Sequence, residues 1–210
     1  MRILIAVPTF ETITPDTFQS LWDMDKPCEC DFRFVRGYDC ATARNRIADL
    51  AVEGGYDYVL MVDNDVTPPV DALTNLLSDD VEVTSGYYLR RHDLQTRTTC
   101  ACRLADQDGK PYYNYSTESM YPADELATLR RDGQTLVRVH GVGMGCALVR
   151  TDTFGLLPYP WFDWVNYADR HGVLSEDLYF CSALKRADIP VYVDTRVACG
   201  HMLRHVETPD

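Results

Sequence analysis

The chain has 210 residues, 46% of them hydrophobic and 25% charged, which supplies one substantial core and excludes an intrinsically disordered chain. Its formal net charge of −12 argues against nonspecific nucleic-acid binding and against attachment to anionic lipid through a basic patch. No nucleic-acid partner is therefore expected.

The opening stretch "MRILIAVPTF" is a short apolar run. It is too short for a membrane span and lacks a signal-peptide layout, so residues 2–8 are expected to form a buried strand and the protein to work in the cytoplasm. "RFVR" at 33–36 is a second short strand. "DCATARNRIADLAVEGG" has helix character, with Ile47, Leu50 and Ala51 at helical spacing and Gly54 placed to stop it. "YDYVLMVDND" is the next strand. "TPPVDALTNLL" predicts a helix with Thr67 as N-cap and Pro68 in its first turn, and "VEVTSGYYL" a further strand. This alternation predicts an α/β fold, a mostly parallel, doubly wound central sheet flanked by helices and joined by right-handed crossovers.

Residues 93–135 lose the rhythm, and a hairpin, an exposed loop and a short helix around 122–131 are expected there. "LVRVHGVGMGCALVR" reads as two strands around a glycine-rich bend, followed by a helix start at "TDTF". "SEDLYFCSALKRADI" is an amphipathic helix with Leu178, Phe180, Cys181 and Leu184 inward and Ser175 as its cap, and "PVYVDTRVACGHM" is a final strand pair. Without repeats or a linker, residues 1–210 read as one domain, two halves (1–92 and 136–210) around a variable insertion at 93–135. Of the eight cysteines, Cys28 with Cys30 and Cys100 with Cys102 form C-x-C pairs, a narrower spacing than structural zinc sites use. Reduced thiols are the favoured reading, with a zinc or disulfide link between the pairs as the alternative.

In an open parallel sheet, ligands bind beyond the carboxyl ends of the strands. Pro8–Glu11 follows the first strand, Asp63–Asp65 ends a later one, and Ser175–Asp177 opens a helix, so this topology brings all three toward one cleft. Alternate residues of a strand share a face, which would put Asp63 and Asp65 roughly 6–7 Å apart. Such a pair suits a hard divalent cation bridging to substrate phosphates. It equally suits capping of the following helix. "DNDVT" also fits D-x-D-x-T, the first motif of haloacid-dehalogenase-like phosphatases, in which the first Asp is a nucleophile. That family needs a downstream lysine and then an acidic pair; Lys185 is the only lysine near a plausible position, and no acidic pair follows it. Taken alone, the pair leaves helix cap, phosphatase nucleophile and metal site open.

Several separated motifs, in order, together resemble the GT-A glycosyltransferases, particularly the family-2-like group, over about residues 2–203. "IAVPTF" resembles the first strand and nucleotide-contacting turn of that family, which assigns Pro8, Thr9, Phe10 and Glu11 to the nucleotide sugar. "ATARNRIADLA" resembles the helix whose Arg-Asn pair, here Arg44 and Asn45, lies near the nucleotide. "YVLMVDNDV" resembles the D-x-D strand, and "GVGMGCALVRTDTF" the glycine-rich segment bordering the acceptor site. "SEDLYFC" matches the E-D motif whose Asp commonly acts as base. "VYVDTRVACGHM" resembles the closing strand, whose His can be a third metal ligand. Residues 93–135 match none of these.

The resemblance implies a nucleoside-diphosphate sugar donor of UDP or GDP type, a divalent Mn2+ or Mg2+ at its diphosphate, and transfer to a hydroxyl of a glycan, lipid, protein or small-molecule acceptor. Asp65 and His201 would hold the metal, and Asp63 would reach the ribose or, through water, the metal, with Asn64 beside the donor. A His201 ligand tilts the preference toward Mn2+; its other reading is a partly buried histidine beside a glycine. Asp177 would deprotonate the acceptor hydroxyl, and Glu176 would bind the acceptor or orient the loop while its charge raises the Asp177 pKa. Arg44 would neutralise the diphosphate, or simply face water, and Asn45 would supply an orienting hydrogen bond. Gly143 allows close backbone approach to a sugar. Trp161, Phe162 and Trp164 form either an aromatic acceptor loop or part of the core. The E-D Asp implies inversion, although a C-terminal metal-binding His also occurs in retaining relatives. A nucleotidyltransferase and a non-catalytic nucleotide- or glycan-binding domain are further alternatives. So short a chain is also a candidate for homo-oligomerisation that completes its acceptor site.

Overall fold

The apolar runs of the first sixty residues pair with one another in parallel. The computed structural model describes residues 1–37, 39–91, 97–103, 120–167 and 172–202. Strand β1 (Arg2–Thr9) buries Ile3 to Val7 at no more than 1% exposure. Thr14 caps helix α1 (Pro15–Asp23) by accepting from the Thr17 amide, with proline at the first helical position. Strand β2 (Glu29–Arg36) then lies parallel to β1. The Asp39 carboxylate caps helix α2 (Cys40–Glu53), which stops at Gly54 as its sequence predicts. Strand β3 (Tyr58–Val62) is buried throughout and pairs in parallel with the other side of β1. A strand covered on both faces reads as this unbroken apolar run.

Beyond β3 the chain departs from expectation. Thr67 does not cap a helix: it lies in a two-residue strand, β4 (Val66–Thr67), and helix α3 (Ala72–Ser78) begins only after Asp71. A residue that precedes proline is pushed toward extended conformations, which places Thr67 before Pro68 in a strand. Strand β5 (Val83–Tyr87) follows. The predicted hairpin is β6 (Thr98–Cys102) with β7 (Met120–Pro122), and the predicted short helix is α4 (Ala123–Arg131). The exposed loop expected in this stretch falls on 104–119, outside the described residues. The glycine-rich segment forms three strands, β8 (Leu136–Val139), β9 (Gly141–Val142) and β10 (Cys146–Arg150), that do not pair with one another. A 3₁₀ turn at Thr151–Leu156, the pair β11 (Val165–Tyr167) and β12 (Gly172–Leu174), helix α5 (Glu176–Arg186), β13 (Val191–Ala198) and β14 (Gly200–His201) complete the order.

The central sheet has the order β2-β1-β3-β10-β5-β13-β8. It is mixed rather than mostly parallel. Among the described residues, three neighbouring pairs are parallel (β2/β1, β1/β3, β5/β13) and three antiparallel (β3/β10, β10/β5, β13/β8). Strand β10 runs back between β3 and β5, and an apolar run carries no record of direction. Helix α2 packs on β1 and β3, and α3 and α4 pack on β13. All eight cysteines are free; Cys30 lies on the edge strand β2, whereas Cys100 and Cys102 lie on β6 in a separate sheet, so the two C-x-C pairs are not joined. Among the described residues no helix is long and apolar enough to cross a membrane.

Candidate active site

Strand β3 ends at Val62, so Asp63, Asn64 and Asp65 form a turn rather than the strand end expected from the sequence. The Val66 amide closes it onto the Asp63 carbonyl at 3.2 Å, and the Asp63 amide donates to the Gly145 carbonyl at 3.0 Å. Asn64 fastens the turn to the loop after β1: its carbonyl accepts from the Thr14 amide (3.0 Å) and its Nδ2 donates to the Thr12 carbonyl (2.7 Å). The far end of the chain arrives through β14, which pairs antiparallel with β4, Gly200 opposite Thr67 and His201 opposite Val66. A Cβ at Gly200 would run into the Thr67 hydroxyl, so this approach needs glycine. The pairing sets His201 Nε2 3.5 Å from Asp65 Oδ1.

His201 Nδ1 lies 2.7 Å from the Leu89 carbonyl, which fixes the ring proton on Nδ1 and leaves Nε2 as an acceptor. Arg91 Nε donates to that Nε2 at 3.1 Å, and Arg91 Nη2 pairs with Asp65 Oδ2. Burial lowers the His201 pKa, opposed by the bond to Leu89 and helped by the Arg91 charge, so the imidazole is neutral at pH 7.

A second arginine sits on the other side of the turn. Arg44, 2% exposed, pairs with Asp63 Oδ1 at 2.7 Å and with Glu176 Oε1. Burial alone would lower its pKa, but the Asp63 and then the Asp177 carboxylates carry it above the usual value. Arg44 is therefore not free to meet a diphosphate, and Glu176, 5% exposed, faces Arg44 instead of an acceptor. The charge expected to act on Asp177 from Glu176 is matched by the same guanidinium. Asp177 Oδ1 accepts from the Leu178 amide at 2.7 Å and from the Ser175 hydroxyl. Ser175 thus spends its side chain on Asp177 rather than on capping the amides of α5.

Asn45 also works inward. Its Oδ1 accepts from the Trp161 and Phe162 amides at 3.0 and 3.1 Å, and its Nδ2 donates to the Phe162 and Ala41 carbonyls at 2.7 and 3.0 Å. That full set pins the aromatic segment to α2 and leaves nothing for a nucleotide. The Trp161 indole donates to the Phe154 carbonyl at 2.9 Å and its ring packs on Phe154, while Phe162 is 1% exposed, so Phe162 belongs to the core and the partly buried Trp161 packs against it. Trp164 is exposed. Gly143 packs against Tyr88, whose hydroxyl accepts from the Gly145 amide at 3.0 Å; a Cβ at 143 would run into that hydroxyl.

Two clefts result. One, of 520 Å³, is lined by Pro8, Thr9, Phe10, Asp39, Cys40 and Asn64 among others. The other, of 330 Å³, is lined by Tyr88, Arg90, Gly143, Ser175, Asp177 and His201 among others. Asp63, Asp65 and Arg91 line both, so the clefts meet at the aspartate turn. Glu11, Arg44, Asn45, Glu176, Trp161 and Trp164 line neither. Sequence reasoning missed Arg90 and Arg91. Their signal was present: two adjacent cations in an acidic chain, just past the carboxyl end of a strand.

No family model matches the sequence, and no curated protein matches it either. Among solved structures, the chain is similar to A197 from STIV, with a TM-score of 0.62 and 18% identity over 97% of this chain and 87% of that one. It is also similar to GalNAc-T7, in a crystal structure with UDP, GalNAc and Mn2+, with a TM-score of 0.60 and 10% identity over 96% of this chain. The match covers 44% of the GalNAc-T7 chain, so this chain spans less than half of its length. The likeness is one of fold.

Proposed function

We propose that this chain is a metal-dependent GT-A glycosyltransferase of the family-2-like type, a single domain that moves a sugar from a nucleoside-diphosphate sugar to an acceptor hydroxyl with inversion. The meeting of the two clefts at Asp63 and Asp65, with Asp177 in one of them, carries the reading. The first cleft takes the nucleoside against Pro8, Thr9, Phe10 and Asn64. The second takes the sugar and the acceptor. The likeness in fold to GalNAc-T7, crystallised with UDP, GalNAc and Mn2+, supports the donor class.

The donor set suits a divalent cation. It has two carboxylates and a neutral imidazole whose Nδ1 is anchored on a carbonyl, the arrangement that turns Nε2 toward a metal. An imidazole among oxygen donors favours Mn2+ over Mg2+. Among the described residues, no three such groups yet surround one point, and Arg91 stands on Asp65, so that guanidinium must leave before a cation seats. Asp65 and His201 would hold the ion with Asp63 beside them, and it would supply positive charge to the departing diphosphate.

The rest is done by the protein's own groups. The Ser175 hydroxyl and the Leu178 amide fix one oxygen of Asp177. Its other oxygen takes the proton of the acceptor hydroxyl. The acceptor oxygen bonds to the anomeric carbon as the bond from that carbon to the diphosphate oxygen breaks, and the electron pair leaves on the diphosphate. The phosphatase reading needs a lysine beside Asp63. Lys185 instead lies at the other end of α5 from Glu176, nine residues at about 1.5 Å each, and lines a separate cavity with Arg138 and His140.

UDP or GDP with Mn2+ is expected to raise the melting temperature of the parent and not of Asp65→Ala. If no nucleoside diphosphate shifts it in the presence of metal, the reading fails. Asp177→Asn is expected to keep that shift and to lose transfer by about 10²–10⁴-fold.

A further inference from the structure

We propose that the acceptor carries an anionic group, a carboxylate or a phosphate, which Arg90 binds in the second cleft. The inference rests on the glycosyltransferase reading and names the acceptor class of that site.

The wall of this cleft is soft and apolar: Tyr88, Cys100, Cys102 and Met120 are each no more than 9% exposed. Burial pushes the Cys100 thiol up to about 12 and Cys102 well above its ordinary value, so neither sulfur carries charge at pH 7. Among the described residues, the charged side chains facing the cleft are therefore Asp63, Asp65, Asp177, Arg90 and Arg91. Each except Arg90 is already engaged. Asp63 is held by Arg44, Asp65 by Arg91, and Asp177 by Ser175 and the Leu178 amide.

Arg90 is different. Its backbone amide donates to the Thr98 carbonyl at 2.9 Å, but its half-buried guanidinium has no hydrogen bond or ion pair to any described residue. This chain has 32 acidic residues against 20 Lys and Arg, so carboxylates are plentiful, yet among the described residues none is spent here. A guanidinium beside a low-dielectric wall gains most from a fork-matched carboxylate or phosphate. A neutral sugar would leave that charge uncompensated. The donor diphosphate is the less fitting occupant, because Arg91 lines both clefts while Arg90 lines only the second.

The test titrates methyl glucuronide, methyl phosphate and uncharged methyl glucoside into the protein by ligand-observed NMR, with and without UDP and Mn2+. At least one anion is expected to bind the parent about tenfold more tightly than methyl glucoside, the scale of a charge-assisted hydrogen bond. The two anion arms separate a uronate-type from a phosphate-type acceptor. Arg90→Gln is expected to lose the preference and to keep the melting-temperature shift with UDP and Mn2+. Equal binding of all three probes, or a preference that survives in Arg90→Gln, overturns the proposal. So does loss of the UDP shift in Arg90→Gln, which would assign the residue to the donor. If the parent shows no UDP shift, the glycosyltransferase reading fails by itself. The nucleotide-free arm then still decides the anion site, upheld by an Arg90-dependent preference and overturned without one.

Discussion

Two arginine clusters flank one turn, and they differ in burial. Arg44 holds Asp63 and Glu176 with 3% of its side chain exposed; Arg91 holds Asp65 and His201 with 50% exposed. Arg44 and Glu176 are stripped of water while Asp63 keeps 27% of its side chain exposed, so removing Arg44 strands the Glu176 charge. In the second cluster the arginine is the exposed partner, against 18% for Asp65 and 11% for His201, and a guanidinium that water reaches is weakly held and exchangeable. The burial of the arginine, not of the aspartate, thus gives two aspartates only one residue apart different work. Asp63 is held by an arginine fixed in the core, and Asp65 by one that can swing into water.

The largest effect is expected from Arg44→Ala. It leaves Glu176 buried without a counter-charge, which for a broken buried pair costs about 3–5 kcal/mol. Denaturant unfolding measures it, and a loss below about 1 kcal/mol, the ordinary value of a surface pair, would erase the contrast between the clusters.

Both clusters show where sequence reasoning reaches and where it stops. Helices α2 and α5 and strands β1 and β3 were legible because period, Gly54 and unbroken apolar runs are local signals. Asp63, Asp65 and Asp177 were legible as a group because each follows or opens an element at an end where ligands gather, and His201 only through the resemblance that its closing strand carries. Partner choice was not. Arg44 meets Glu176 across 132 positions, and Asn45 meets Phe162 across 117, and nothing local distinguishes a helix arginine that faces water from one that faces a distant glutamate. Strand direction was hidden for the same reason: β10 is as apolar as β3, and only the chain path makes it antiparallel.

A third arginine cluster gives an intermediate case. Arg196 pairs with Asp79 and Asp194, which are 3% and 0% exposed, while its own side chain is 26% exposed. Burial pushes the Asp79 carboxyl up to about 6, with bonds from Thr84 and Arg196 opposing and the Asp194 charge adding. The folded protein therefore holds this proton more tightly than the unfolded chain. The associated stability is fully present below about pH 4 and is lost as pH rises through about 6, at most about 3 kcal/mol at 1.4 kcal/mol per pH unit. Asp79→Asn cannot titrate, so its stability relative to the parent is expected to rise between pH 4.5 and 7. A gap that stays constant across that window would sink this assignment.

Asn45→Ala tests whether the neighbour of Arg44 is structural too. It leaves the Trp161 and Phe162 amides without their acceptor, worth about 1–3 kcal/mol for buried donors. The stabilisation by UDP and Mn2+ should persist, because Asn45 lines neither cleft. Loss of that stabilisation in a variant with unchanged unfolding free energy would return Asn45 to the nucleotide.

Arg91→Ala should be the mildest change to stability and the most informative about the turn. An ion pair whose arginine is half exposed contributes between about 0 and 1 kcal/mol, so unfolding should barely move. Metal affinity should move, and upward. The guanidinium occupies Asp65 Oδ2 and His201 Nε2, two of the groups a divalent cation would use, and a cation must displace it to bind. Calorimetric titration with Mn2+ alone, without nucleotide, reads this directly: the variant is expected to bind at lower metal concentration than the parent. Equal affinity would mean that Arg91 does not stand in the cation's place, and a large loss of stability would mean that the exposed cluster is as fixed as the buried one.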